Sequence, residues 1–196
     1  PVENFYKKCL RNSASYQRAV GYFRSSVLII IGETLVDFVR RGGRIQLICS
    51  PSLSSDDIRS ISAGYARRED VIAATLVDEF DKLLAASETE YAARTLATLV
   101  ALGALEIKIA ELKNGKGIYH EKLGIFSDGL GNYVSFRGST NETWSGWHTE
   151  GNFEAIEVFC NWVGASEKIA LKSTNNISKP SGQVKIQESR SRHSPR

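Results

Sequence analysis

Residues 19–49 read AVGYF RSSVLIIIGETLVDFVRRGG RIQLIC, and this stretch decides the fold. It opens with a short apolar and aromatic run, Ala19–Phe23, which is typical of a strand. From about Ser25 to Arg41, apolar residues recur at spacings of three and four, which predicts an amphipathic helix. Gly42-Gly43 ends that helix, and Arg44–Cys49 alternates and is rich in β-forming residues. A short right-handed crossover of this kind makes the two strands parallel.

The sequence on the C-terminal side continues the alternation of helices and strands. Helical patterning runs, with breaks, from Ser54 to about Gly103, and Leu105–Ile109 then alternates as a strand. The part that follows is rich in strands, which we predict over Tyr119–Phe126, Tyr133–Arg137 and Phe153–Phe159. Together these elements predict an α/β fold in which a mixed β-sheet is flanked by helices.

The composition changes near residue 165, which predicts a folded domain over residues 1–165 and a flexible basic tail or linker over residues 166–196. The tail carries seven Lys and Arg residues against two acids, whereas the folded part carries 18 bases against 20 acids. The net charge of +3 is therefore a property of the tail. A basic surface would favour nucleic acid, but the bulk composition of the folded part does not supply one.

The cellular setting is bounded by features that the sequence lacks. It has no run of about 18 apolar residues that would cross a membrane, and no basic region followed by an apolar stretch at its start. Cys9, Cys49 and Cys160 are widely spaced, which argues against a disulfide framework or a zinc site. We therefore expect a cytoplasmic protein without membrane association, whose cysteines are buried packing residues. Because the chain begins with Pro1 and contains no Met, we also expect a processed product or a fragment.

One pair of side chains is suited to chemistry on a phosphate. His120 and Lys122 are two residues apart, so in a strand both project from the same face. An imidazole can attack phosphorus or protonate a leaving oxygen, and an ammonium offsets the phosphate charge. Ser139 and Asn141 repeat the spacing and would complete a ring of polar groups around the phosphate oxygens. Gly138 beside them lets the backbone come close.

These residues resemble the signature of the phospholipase D superfamily, which is His-x-Lys, four residues, Asp, and later Gly-Ser-x-Asn. Here the signature reads His120-Glu121-Lys122 and then Gly138-Ser139-Thr140-Asn141. Further residues are similar to the nuclease-like branch associated with helicases and restriction systems, namely Arg18–Phe23, Arg41–Ile45, Gly146-Trp147 and Asn152-Phe153-Glu154. The resemblance covers roughly residues 15–160 and implies that the folded domain, residues 1–165, is a phospholipase D-like catalytic domain.

The resemblance implies a metal-independent phosphodiesterase that needs no cofactor, in this branch a DNA endonuclease of the restriction or DNA-processing type. Family active sites pair two motifs, so that one histidine attacks phosphorus and the other protonates the leaving group. This chain carries one motif. We therefore expect a homodimer in which two copies of His120 share one composite site. DNA is the expected substrate, and a helicase, a specificity subunit or a missing domain is a further candidate partner.

The resemblance leaves the positions of two acids open. Five residues, not four, separate Lys122 from Asp128, so Asp128 is either the motif acid or a turn residue. The family orients its histidine with a carboxylate on a following strand, for which Glu154 and Glu157 are the candidates. The Asn-x-Glu pattern favours Glu154 as the catalytic acid of this set. Glu121 alternates away from His120 and is expected to be structural or exposed.

A glycine- and tryptophan-rich segment adds candidates for substrate contact. His148 is one of them, and Trp144 and Trp147 could stack on bases, cover the site as hydrophobic lids, or pack at the dimer interface. Two other functions stay open on the sequence alone. One is a phospholipid phosphodiesterase or phosphatidyltransferase, and the other is a non-catalytic nucleic-acid-binding module that retains a relict site.

Overall fold

The structure, a computed structural model, describes residues 2–50, 53, 55–67, 88–113, 117–147, 155–163 and 184–188. The strands are β1 (Ser15–Val20), β2 (Arg44–Cys49), β3 (Leu105–Leu112), β4 (Lys122–Ser127), β5 (Tyr133–Gly138), β6 (Ile156–Cys160) and β7 (Val184–Glu188). A π-helical turn (Val2–Tyr6) leads into α1 (Lys7–Arg11), and the other helices are α2 (Val27–Arg40), α3 (Ser55–Arg67), α4 (Glu88–Ala101) and α5 (Trp144–Trp147). The strands form one sheet in the order β6-β5-β4-β1-β2-β3-β7. The expected mixed sheet flanked by helices is confirmed.

The strand–helix–strand unit that opens the chain forms as expected, with β1 and β2 parallel. Strand β2 has the predicted bounds, but β1 runs from Ser15 to Val20 and not over Ala19–Phe23. The reason is that β1 has a partner on both sides, and its pairing with β4 starts at Ser15↔Ser127. The chain leaves the sheet at Gly21, so Tyr22 lies beyond the strand.

Helix α2 buries the apolar stripe that predicted it. Leu28, Ile31, Leu35 and Phe38 are all buried and belong to the same core cluster as residues of β1 and β2. Gly42 follows the helix with a φ of +82°, the left-handed conformation that glycine adopts most easily. In the part of the chain that the structure describes, no helix combines the length and the apolar character that a membrane span requires.

The interpretation of residues 166–196 as a tail is wrong for Val184–Glu188. This segment forms β7, which pairs antiparallel with β3 from Lys108↔Glu188 to Leu112↔Val184. An edge strand presents a row of backbone groups that seek partners, and β7 satisfies those of β3. The polar composition of the region hid a short alternation of Val184 and Ile186 with polar residues, which is itself a strand pattern.

An aromatic cluster fills the core between the N-terminal helix and strands β4 and β5. Tyr6 stacks on Trp147 with ring centroids 4.0 Å apart, and Phe126 and Phe136 stack at 5.7 Å. Trp147 is 1% exposed, so it is a core residue, and the expected roles in base stacking, in covering the site or at an interface are wrong for it. His148 and the side chain of Trp144 lie outside the described residues.

Candidate active site

The predicted site lies at one end of the sheet, where several strand ends meet. Strands β1 and β2 finish there, and β4 begins there because it runs antiparallel to β1, with Val20 opposite Lys122. Strand β5 ends at the same place, beside the start of β6, with Gly138 opposite Ile156. The topology therefore brings the segments that follow β1 and β5 next to the residues that precede β4.

His120 lies just before β4, not within it, because that strand begins at Lys122. The prediction of one strand over Tyr119–Phe126 is wrong at this end, but the two side chains still meet. Nζ of Lys122 donates to Nε2 of His120 at 2.9 Å and to the His120 carbonyl oxygen at 3.4 Å. A charged lysine can only donate, so in this contact Nε2 is the acceptor, as in the imidazole tautomer that carries its proton on Nδ1. An exposed imidazole with a lone pair on Nε2 is suited to attack phosphorus.

The segment after β1 cradles the His120 ring. A Cβ atom on Gly21 would lie 2.5 Å from Cδ2 of His120, so a side chain at this position would force the imidazole or the backbone to move. The Tyr22 ring meets the imidazole edge-on, with ring centroids 5.9 Å apart. Ser50, at the end of β2, donates from Oγ to the Gly21 carbonyl oxygen at 2.5 Å. The imidazole therefore packs on backbone that is itself held by the sheet.

Asn141 has its side-chain oxygen already engaged. The Tyr22 backbone N–H donates to Oδ1 of Asn141 at 3.2 Å. This contact settles which end of the amide is which, and it leaves the Nδ2 hydrogens to donate to a ligand oxygen. An amide donor of this kind is suited to the equatorial oxygens of a phosphate.

Ser139 is tied to the start of β6. Its backbone N–H donates to the Ala155 carbonyl oxygen at 3.1 Å, and its Oγ accepts from the Ala155 N–H at 3.1 Å. Gly138 makes this approach feasible, since a Cβ atom there would lie 2.0 Å from the same carbonyl oxygen. The glycine of the Gly-Ser-x-Asn motif thus brings two backbone segments together.

An open cleft of about 860 Å³ unites the predicted residues. The four motif side chains that the structure describes all line it, namely His120, Lys122, Ser139 and Asn141. The fifth predicted site residue, Glu154, lies outside the described residues, and its role stays a prediction. The remaining lining residues are Glu121, Arg137, Gly138, Ala155, Ile156 and Glu157.

Arg137 is a cleft residue that sequence reasoning missed. Its Nε donates to Oε2 of Glu157 at 2.7 Å, and this ion pair is well exposed at the rim. Glu157, one of the two candidates for orienting His120, is therefore paired with Arg137. Glu121 is exposed, as expected, and it also lines the cleft. The available signal for Arg137 was its place directly before Gly138, at the end of a predicted strand.

Asp128 belongs to the turn between β4 and β5. Its Oδ1 accepts from the backbone N–H groups of Leu130 at 2.7 Å and Asn132 at 3.1 Å, and its Oδ2 accepts from Nδ2 of Asn132 at 2.7 Å. These bonds, the one from the Asn132 side chain above all, hold the pKa of Asp128 below its ordinary value. Strand β4 separates Asp128 from the site by about 17 Å, at roughly 3.4 Å per residue. The structure thus favours the turn-residue interpretation.

Burial raises the pKa values of two cysteines and of Tyr119, which lies beside His120 in the chain. Burial raises the pKa of Cys9 to about 11 and that of Cys49 to about 12, so both stay protonated at neutral pH. This agrees with their expected role as packing residues. Burial also raises the pKa of Tyr119 to about 12. Among the described residues, no three His, Cys, Asp or Glu side chains form a group that could hold a metal ion.

Comparisons with known proteins place the fold. No family profile and no curated protein matches the chain. Nuc from Salmonella typhimurium, a phospholipase D family member, shares 13% identity and a TM-score of 0.51, over 95% of this chain and 90% of its own. NucT from Helicobacter pylori shares 16% identity and a TM-score of 0.47, over 91% of this chain and 86% of its own. Phosphatidylserine synthase from Haemophilus influenzae Rd KW20 shares 12% identity and a TM-score of 0.49, over 95% of this chain and 36% of its own.

The fold and the site together define an α/β protein with a histidine–lysine pair at the end of its central strands. Within that class, the chain has a phospholipase D-like fold. The fold expected from the motif resemblance is therefore confirmed.

Proposed function

We propose that the chain is a metal-independent phosphodiesterase that acts as a DNA endonuclease. The observation that supports this most directly is the contact of Nε2 of His120 with Nζ of Lys122, in a cleft that Ser139 and Asn141 also line. A nucleophilic nitrogen beside a cation and an amide donor is what displacement at phosphorus requires. In this proposal Lys122 and the amide of Asn141 offset the phosphate charge, so the chemistry uses no metal ion.

In the first step, Nε2 of His120 attacks phosphorus and the bond from phosphorus to the leaving oxygen breaks. The leaving alcohol takes a proton from a second imidazole, and the product is a phosphohistidine. Lys122 and the Nδ2 group of Asn141 donate to the oxygens that carry the growing negative charge. Ser139 contributes its hydroxyl group on the side of the cleft next to β6.

In the second step, water attacks the phosphohistidine. The second imidazole takes the proton from that water, so it returns to its starting protonation state, and the nitrogen–phosphorus bond breaks. The products are a phosphate monoester and free His120. The two steps use one nucleophile and one acid that then acts as a base, which is why a single imidazole is not enough.

We propose that the second imidazole is His120 of another copy of the chain. His120 is exposed and the cleft is open, so the groups of one copy are accessible to a second. A two-fold axis beside the cleft would bring the two copies of His120 to opposite sides of one phosphorus atom. The site would then belong to the dimer.

DNA is proposed as the substrate because of the resemblance of residues 18–23, 138–143 and 146–147 to the nuclease-like branch. The cleft contributes two cations, Lys122 and Arg137, and two acids, Glu121 and Glu157. Its charge therefore suits a single phosphodiester better than a long stretch of backbone. Sequence preference, where it exists, is assigned to a helicase, a specificity subunit or another domain.

The test is cleavage of supercoiled plasmid in excess EDTA. The wild type is expected to nick the plasmid, and His120→Ala to abolish the reaction. Lys122→Ala should lower the rate by about 10²–10³-fold, the usual effect of removing one group that stabilises the charge. Lys108→Ala is the matched control, because this lysine lies on β3 in an ion pair with Glu106.

Other outcomes select the competing functions. Activity that requires a metal ion would overturn the mechanism. Turnover of phosphatidylcholine without plasmid cleavage would identify a phospholipid phosphodiesterase or phosphatidyltransferase. Plasmid binding without cleavage under any condition would identify a non-catalytic nucleic-acid-binding module.

A further inference from the structure

A charged pair lies buried beneath the loop that carries Asn141. Arg18, on β1, is 1% exposed, and Glu142, the residue after Asn141, is 4% exposed. Nε of Arg18 donates to Oε1 of Glu142 at 2.5 Å, and the Tyr16 hydroxyl donates to the same oxygen at 2.9 Å. The Arg18 guanidinium also lies over the Phe136 ring, 4.9 Å from its centroid. The pair is thus enclosed by aromatic side chains.

Burial of two charges is not an efficient way to stabilise a fold. Each ion loses its hydration, and the mutual attraction recovers that loss only when the geometry and the additional hydrogen bonds are good. Burial raises the pKa of the Glu142 carboxyl, and the Arg18 guanidinium and the Tyr16 hydroxyl oppose that shift. An apolar pair of similar volume would serve the core as well. The position of the pair therefore calls for a reason other than stability.

That reason lies in what the pair holds. Nη2 of Arg18 donates to the carbonyl oxygen of Thr140, the residue before Asn141. On the other side of Asn141, the Glu142 carbonyl oxygen accepts from the Arg24 N–H at 2.8 Å. Both neighbours of Asn141 are thereby tied to β1 or to the segment that follows it.

The same segment orients both side chains of the proposed chemistry. Tyr22 donates its backbone N–H to Oδ1 of Asn141, and Gly21 packs on the ring of His120. Residues 18–24 therefore contact the loop that carries Asn141 at several points, and they contact the imidazole through Gly21 and the Tyr22 ring. A shift of the loop relative to β1 would move the amide donor away from the imidazole.

We propose that Arg18 and Glu142 are positioning residues, which lock the Asn141 loop onto β1 so that Asn141 and His120 address the same phosphate. This inference rests on the proposed function, since it names what aligns that site. Neither residue lines the cleft, so they act through Asn141 and Gly21 and do not touch the substrate. Loss of either residue should therefore lower the rate of the chemical step and leave substrate binding unchanged.

Two variants of the full chain test this. Arg18→Lys keeps the charge and the stem but cannot donate to Glu142 and Thr140 in a fork. The triple variant Tyr16→Phe, Arg18→Met, Glu142→Leu replaces the cluster by apolar groups and is expected to fold without the lock. For both, kcat on a phosphodiester should fall by about 100-fold, as for a misplaced catalytic group, while KM stays near the wild-type value.

Arg94→Lys is the matched control, because Arg94 forms an exposed pair with Glu90 on α4. It should leave kcat and KM unchanged. A folded triple variant or Arg18→Lys variant with wild-type kcat would show that the pair is merely structural. A loss of activity that is fully explained by a lower melting temperature would also show that the pair is merely structural.

A second readout separates this inference from the proposed function. In NMR spectra of the protein without substrate, the Asn141 side-chain amide and the Tyr22 N–H should give one sharp set of signals in the wild type. In the Arg18→Lys variant both should shift and broaden, because the loop samples several positions. If the wild type cleaves no phosphodiester, the proposed function fails while this comparison still decides the positioning role. Unchanged signals in the variant would overturn that role.

Discussion

Gly21 shows how a residue without a side chain shapes the candidate active site. It is buried at the end of β1, where the chain leaves the sheet, and its carbonyl oxygen accepts from Ser50. The imidazole of His120 occupies the space where a Cβ atom would stand. The position of the His120 ring therefore depends on the absence of one methyl group, which makes this site sensitive to a minimal substitution.

Gly21→Ala should lower kcat by about 10- to 100-fold, because a displacement of a catalytic group by about 1 Å has an effect of this size. The fold should persist, because the atom nearest to the new methyl group belongs to the exposed side chain of His120 and not to backbone. The measurement is the cleavage rate together with the melting temperature.

Gly131→Ala is the matched control for this substitution. Gly131 has open space around it but a φ of +100°, so alanine there should reduce stability and leave kcat per folded molecule unchanged. If both variants lost activity in proportion to stability, the close packing of Gly21 on His120 would have no catalytic significance.

At the residue scale, the sequence predicted the side chains that line the cleft better than the contacts that hold them in place. His120, Lys122, Ser139 and Asn141 were found because their spacing forms a motif, and the structure brings them into one cleft. The cluster of Arg18 and Glu142 was missed because nothing in the sequence pairs two residues 124 positions apart. Such long-range contacts depend on which strands become neighbours in the sheet and on the path of the chain after β5, which local sequence patterns do not reveal.

At the scale of elements, the sequence predicted the interior of each element better than its ends. Helix α2, which ends before Gly42, and strand β2 both have strong periodicity and formed with bounds close to those expected. The backbone of α2 departs from helical geometry at Gly32, which the periodicity did not indicate. The ends of β1 and β4 depend on the partners that those strands find in the sheet, and both were misplaced. Strand β7 was missed because the composition around it is polar, although it satisfies the edge of β3.

The hairpin of β4 and β5 provides a test at this scale. Asp128→Ala removes the acceptor for three hydrogen bonds in the turn, so the melting temperature should fall by a few degrees. The cleavage rate per folded molecule should not change, because Asp128 lies at the far end of the hairpin. Loss of kcat without loss of stability would instead identify Asp128 as the motif acid. The Asp128→Asn variant retains one acceptor oxygen, so its melting temperature should lie between those of the wild type and Asp128→Ala.

The stabilisation of the turn by Asp128 also depends on pH. The pKa of Asp128 is lower in the folded chain than in the unfolded chain, so the ionised form favours folding. Its contribution is present above the unfolded pKa of about 3.9 and is lost as the pH falls through the lower folded value. The difference in melting temperature between wild type and Asp128→Ala should therefore narrow as the pH is lowered below about 4. A difference that stayed constant into that range would exclude the carboxylate as its source.

For the whole molecule, the arrangement of the sheet determines what a single chain can do. The described histidine, His120, lies at an open end of the sheet, in a cleft that one chain leaves accessible. The proposed chemistry needs a nucleophile and an acid on opposite sides of one phosphorus atom. One imidazole cannot serve both sides at once, and in our proposal a second copy of the chain supplies the other imidazole.

Mixing experiments test the composite site. When wild type and His120→Ala are allowed to exchange in equal amounts, about one quarter of the dimers should contain two wild-type chains. A dimer with one His120 lacks either the nucleophile or the acid, so the activity per wild-type chain should fall to about half. Lys108→Ala, which keeps His120, should cause no such fall when mixed in the same way. Activity per wild-type chain that is independent of added His120→Ala would show that one chain completes the site by itself. Sedimentation measurements under the assay conditions would then be expected to show an active monomer.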